Sequence, residues 1–146
     1  MSNSDLAAPQ PALMGAKRTL GLHVLVVEDN EADAEMIVHA LERRPAVVDI
    51  EHAADGAEAL EMLDKAVLMP DLAIIDLQMP KMDGFKLLIE MSCRGYSGFP
   101  IFVLTSSTSR SDVVRSLFRG ADKVMSKPNT IEELERKIAE MIAATG

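Results

Sequence analysis

Between residues 22 and 143 the chain alternates two spacings of apolar residues. Short runs rich in Val, Ile, Leu and Ala recur at residues 23–27, 47–53, 72–76, 101–105 and 123–126, and predict strands. Segments with apolar residues three and four apart follow at residues 32–43, 56–64, 84–93, 111–119 and 131–143, and predict helices. Regular strand-helix alternation implies right-handed crossovers and a parallel sheet covered by helices on both faces. The runs VLVV, LAII and IFVL are almost wholly apolar, as central strands buried on both faces are. The expected fold is therefore α/β, a doubly wound five-stranded parallel sheet.

The last helix carries the clearest start signal. Thr130 is placed to cap it, with Glu133 reaching back to complete a capping box, and Ile131, Leu134, Ile138 and Met141 form one apolar stripe. Residues 1–21 are rich in Ala, Pro, Ser and Asn without apolar period and read as a flexible leader; residues 22–146 read as one domain.

Composition narrows the picture further. Of 146 residues, 48% are hydrophobic and 26% charged, a globular balance, but only 3% are aromatic, so aliphatic side chains and the methionines must fill the core. With 15 Lys and Arg against 23 Asp and Glu, the net charge of −8 repels phosphate backbones and argues against direct nucleic-acid binding. No basic segment precedes an apolar run, and no stretch approaches the roughly 18 apolar residues of a membrane span, so a soluble, cytoplasmic protein is expected. The lone Cys93 cannot form an intramolecular disulfide and reads as a packing residue beside an apolar helical face. His23, His39 and His52 lack metal-ligand spacing and read as structural or solvated. Arg110, Arg115 and Arg119 read as a solvated face of the fourth helix, with a face for an acidic partner surface as the alternative.

In doubly wound sheets ligands bind beyond the carboxyl ends of the strands, near the point where strand order reverses. Here those ends carry Glu28-Asp29-Asn30, Asp76, Thr105-Ser106-Ser107 and Lys127-Pro128. Carboxylates brought together repel one another unless a hard cation joins them, and an all-oxygen cluster that retains waters suits Mg²⁺. With its charge screened, Asp76 can attack phosphorus while Lys127 neutralises the transferring oxygens. The Thr105 hydroxyl can hydrogen-bond a phosphoryl oxygen.

The segments VLVVEDN, DLQMPKMDG, VLTSS and SKP, in this order, resemble the receiver domain of two-component response regulators, which has a flavodoxin-like fold. The resemblance spans roughly residues 22–143. It implies that Asp76 accepts the phosphoryl group and that Glu28 and Asp29 form the acidic pair, with Asp29 the direct metal ligand. The backbone carbonyl of Gln78 would be the third protein ligand of Mg²⁺, Thr105 the switch hydroxyl and Lys127 the phosphoryl-binding lysine, its bond to Pro128 cis. Pro80 and Gly84 would shape the turn after Asp76. The implied partner is a histidine kinase or histidine phosphotransfer protein.

Four positions depart from the family or tune it. Val124 stands where relatives carry the Tyr or Phe that rotates inward on switching, and Glu28 replaces the commoner Asp. Gln78 and Ser107 occupy the positions that flank the attacking water. The expected function is a single-domain response regulator, with no output domain after Gly146, that catalyses its own phosphorylation and acts through protein contacts as a homodimer, partner binder or relay intermediate. A receiver-fold scaffold working without phosphorylation is the alternative. A flavodoxin-like redox carrier would need its phosphate loop after the first strand, where Glu28-Asp29 lies.

Overall fold

The computed structural model describes residues 21–145, so the leader expected before the domain lies, Gly21 apart, outside the described residues. The strands are β1 (Leu22–Val27), β2 (Val47–Ala53), β3 (Leu72–Ile75), β4 (Ile101–Thr105) and β5 (Lys123–Ser126). Each is followed by a helix: α1 (Glu31–Glu42), α2 (Gly56–Lys65), α3 (Gly84–Cys93), α4 (Arg110–Phe118) and α5 (Ile131–Ala143). All strand pairs are parallel, in the order β2-β1-β3-β4-β5. The chain steps from β1 outward to β2 and then returns to the other side of β1 for β3, so strand order reverses between β1 and β3. The doubly wound sheet expected from the apolar pattern is the one observed.

Alternation along each central strand feeds two separate cores. Leu25 and Val27, Ala73 and Ile75, and Ile101 and Val103 face α2 and α3, packing with Leu60, Leu63, Leu87, Leu88 and Met91. Their neighbours Val24 and Val26, Leu72 and Ile74, and Phe102 and Leu104 face α1 and α5, packing with Ile37, Leu41, Leu134, Ile138 and Met141. Burial on both faces explains why VLVV, LAII and IFVL show no polar alternation.

Capping residues set where the helices begin. Asn30, Asp55, Asp83, Ser109 and Thr130 each accept the N–H three residues on, a contact of about 1 kcal/mol apiece. Because Asn30 caps α1, Asp29 is free of that duty. The expected capping box is altered: Glu133 accepts the N–H of Asn129 at 3.3 Å, one residue before the cap. Ile131, in the first turn, leaves the α5 stripe and is 56% exposed, while Leu134, Ile138 and Met141 are buried.

Three further expectations are corrected. Cys93 is exposed, because it lies two residues past the buried Met91 and hence about 200° round the helix. Arg115 is not simply solvated: its guanidinium stacks 3.9 Å above the centroid of the Phe85 ring, tying the otherwise lightly buried α4 to α3. No cis peptide bond occurs among the described residues, so Lys127–Pro128 is trans, the isomer favoured by about 0.5–1 kcal/mol for such bonds.

The turn after β3 is held by close backbone packing. Gly84 starts α3 by donating its N–H to the Leu77 carbonyl at 2.9 Å. A Cβ there would lie 2.4 Å from the Asp76 carbonyl oxygen and 2.8 Å from Leu77 Cα. Both obstacles are backbone and cannot rotate away. Gly84→Ala is expected to destabilise the domain by about 1–3 kcal/mol despite alanine's better helix propensity, as a fall in the urea midpoint. An unchanged midpoint would show that this turn can shift freely. Within the same turn Lys81 adopts φ 63, a left-handed conformation the sequence did not announce.

Candidate functional site

The reversal between β1 and β3 brings the acidic strand ends together. Hydrogen bonds that prolong the sheet fix them: Glu28 N–H donates to the Ala53 carbonyl, and Asp76 N–H donates to the Val27 carbonyl, each at 3.0 Å. Asp76 thus falls one residue past β3 yet remains anchored to β1. At the other side of β4, the N–H of Lys127 donates to the Thr105 carbonyl at 2.9 Å. Backbone pairing alone therefore delivers four of the expected side chains to one end of the sheet.

Glu28, Asp29 and Asp76 offer carboxylate oxygens that lie within 4.8 Å of one another. Glu28 and Asp76 are buried and Asp29 is exposed, so the cluster opens to solvent on one side. Oδ1 of Asp76 is buried and lacks a hydrogen-bond partner. An orphaned buried carboxylate oxygen costs free energy, and two neighbouring acids add repulsion. This oxygen-only donor set fits a hard divalent cation.

Lys127 Nζ is the counter-charge. It lies 2.8 Å from Asp33 Oδ2, 2.9 Å from Glu28 Oε1 and 3.4 Å from Asp76 Oδ2. The contact with Glu28 is a short ion pair without hydrogen-bond geometry, and Glu28 Oε1 has no hydrogen-bond partner. Burial opposes the lysine's charge, but the hydrogen bond to Asp33, the close contact with Glu28 and the charges of Asp76 and Glu28 outweigh it and hold the ammonium above the usual lysine range.

Burial pushes the Glu28 carboxyl up to about 7, aided by the charge of Asp76 and opposed by Lys127 and the Asn30 N–H. A carboxyl raised from 4.5 in the unfolded chain to about 7 binds its proton more tightly when folded. Its stabilising contribution is complete below the unfolded value and is lost as pH rises through about 7. In EDTA, the stability of wild type relative to Glu28→Gln is expected to fall from pH 5 to pH 8 by on the order of 1–3 kcal/mol, measured by urea unfolding. A flat difference would mean that Glu28 titrates normally.

Thr105 is fully buried, and its Oγ1 accepts the Ser107 N–H at 3.2 Å. The Ser107 hydroxyl in turn donates to Asp112 in the first turn of α4. Ser107, expected to flank an attacking water, is thus committed to α4. Gln78 is exposed in the loop after Asp76. Val124 is half-buried and packs against the α2–α3 core, with no ring to rotate. Of the histidines, His52 places Nε2 2.8 Å from the Glu28 carbonyl and His23 pairs with Asp49, both structural as expected. Asp33 is the side chain that sequence reading missed: it stands in the first turn of α1, where acids are common, and only the fold brings it to Lys127.

The model of the response regulator receiver domain matches residues 24–139. The chain belongs to this family. Response regulator MprA of Mycobacterium ulcerans (strain Agy99) is 34% identical to this receiver over 126 residues, which cover 86% of the chain and 52% of MprA. This receiver thus spans about half the length of the curated MprA relatives it matches. The probable methanogenesis regulatory protein FilR2 of Methanothrix harundinacea (strain 6Ac) is 33% identical over 123 residues, covering 81% of the chain and 79% of FilR2.

Solved receivers superpose closely. The phosphorylated cyanobacterial phytochrome response regulator RcpA gives a TM-score of 0.77 at 27% identity, covering 86% of this chain and 96% of its own. Chemotaxis response regulator CheY4 of Vibrio cholerae gives 0.72 at 31%, covering 83% and 98%. The chain is thus a response regulator receiver domain with a cluster of three acids, Glu28, Asp29 and Asp76, at the carboxyl end of its sheet. No helix among the described residues is long and apolar enough to cross a membrane.

Proposed function

We propose that this receiver accepts a phosphoryl group on Asp76 from a histidine kinase or phosphotransfer partner, in a Mg²⁺-dependent reaction, and signals through altered protein contacts. The observation that carries this reading is the buried, unpartnered Oδ1 of Asp76 beside Lys127 and within reach of Glu28 and Asp29. The solved structure of the phosphorylated relative RcpA supports it by likeness.

Asp29, Asp76, Glu28 through water, and the Gln78 carbonyl would hold the cation. Bound there, Mg²⁺ would supply charge neutralisation for the transferring oxygens. An Asp76 oxygen attacks phosphorus in line, an O–P bond forms, and the donor's N–P or O–P bond breaks with its electron pair leaving on the donor. Lys127, already 3.4 Å from Asp76 Oδ2, takes up charge on the new phosphoryl group. The Thr105 hydroxyl then turns toward a phosphoryl oxygen, giving up the Ser107 N–H and disturbing the link from Ser107 to α4. With Val124 unable to act as a rotating ring, that loop is the route by which Thr105 reaches the α4 surface.

The test is incubation of wild type with acetyl phosphate, with and without Mg²⁺. Incorporation that needs Mg²⁺ and is released by hydroxylamine supports the reading; no incorporation, or incorporation insensitive to EDTA, overturns it. Val124 is the observation that favours the second reading, a receiver-fold scaffold that works without phosphorylation, and that reading predicts no incorporation at all.

A further inference from the structure

Resting on the reading of Asp76 as phosphoacceptor, we propose that Asp33 is a positioning residue that holds Lys127 in its resting place and competes with the phosphoryl group for it. Among the three acids around the ammonium, Asp33 makes the shortest contact, 2.8 Å with hydrogen-bond geometry, across 94 residues of sequence. Asp76 makes the longest, at 3.4 Å. An ammonium has three donors and no acceptor, so a phosphoryl oxygen can be gripped closely only by drawing Nζ toward Asp76.

Asp33 opposes that movement because its own position is fixed. Its backbone N–H is taken by the capping Asn30 Oδ1 at 2.9 Å, which pins the first turn of α1. Asp33 also stands apart from the oxygens of Glu28, Asp29 and Asp76 that could share a cation, so it acts on the lysine and not on the metal. Phosphorylation therefore loosens a tether between α1 and the loop that opens α5. Asp33, Lys127 and Pro128 line one small cleft with Met36, Ile37 and Leu134, residues of α1 and α5. Freed of the tether, those two helices can respond where the missing aromatic cannot.

The experiment titrates beryllofluoride, a stand-in for the phosphoryl group, in saturating Mg²⁺, with wild type, Asp33→Asn, Asp33→Glu and Lys127→Ala run alongside the double variant. Asp33 is 40% exposed on its side chain, so the tether is worth little more than a surface ion pair. In saturating Mg²⁺, Asp33→Asn is expected to bind beryllofluoride about threefold to fivefold more tightly. Asp33→Glu should fall back toward wild type, and in the Lys127→Ala background the Asn substitution should have no effect.

Equal or weaker binding by Asp33→Asn, or the same gain without Lys127, overturns the proposal and leaves Asp33 an ordinary structural bridge. A melting temperature taken without Mg²⁺ shows that Asp33→Asn is folded. Failure of the parent reading looks different: wild type itself then shows no beryllofluoride binding that Asp76→Asn removes, and both inferences fall together.

Discussion

Asp76→Asn is expected to abolish hydroxylamine-sensitive incorporation from acetyl phosphate in Mg²⁺. The amide keeps the shape of the side chain and the backbone anchor to the Val27 carbonyl, so the fold should survive. What it removes is the anionic nucleophile and one of the three carboxylates that can share a cation. Folding stability should even rise slightly without Mg²⁺, because the substitution relieves repulsion against the buried Glu28. Circular dichroism and urea unfolding check the fold, and phosphoryl incorporation checks the chemistry. Undiminished incorporation would place the acceptor elsewhere.

Lys127→Ala is expected to slow phosphorylation by on the order of 100-fold while leaving Mg²⁺ binding intact or tighter. The direction for the metal follows from charge: Lys127 competes with any cation for Glu28 and Asp76, so its removal frees their oxygens. The rate falls because the ammonium acts on the transferring group. Isothermal titration with Mg²⁺ and rates of acetyl phosphate turnover separate the two effects. Loss of Mg²⁺ affinity with an unchanged rate would assign Lys127 to the metal shell.

Much of this receiver could be read from the chain because its central strands are buried on both faces. Val24–Val27, Leu72–Ile75 and Ile101–Thr105 have no polar alternation to confuse, and each ends abruptly in the polar residues that make the site. A local rule was also enough for the cap at Thr130. What escaped was whatever depends on distance in sequence. Asp33 meets Lys127 across the fold, and Arg115 finds the Phe85 ring from a different helix. The left-handed Lys81 escaped for another reason: the turn before α3 is imposed by the close approach of Gly84 to the Asp76 carbonyl, not by Lys81's own preference.

The phosphoacceptor can be located by borohydride trapping, which reduces an acyl phosphate to the corresponding alcohol. Wild type treated with acetyl phosphate and Mg²⁺, trapped, digested and sequenced by mass spectrometry, should show homoserine at position 76 and aspartate at positions 29 and 33. Homoserine at another acidic position, or phosphate retained on a serine, threonine or histidine with Asp76 unmodified, would contradict the assignment of Asp76 as the phosphoryl-accepting carboxylate.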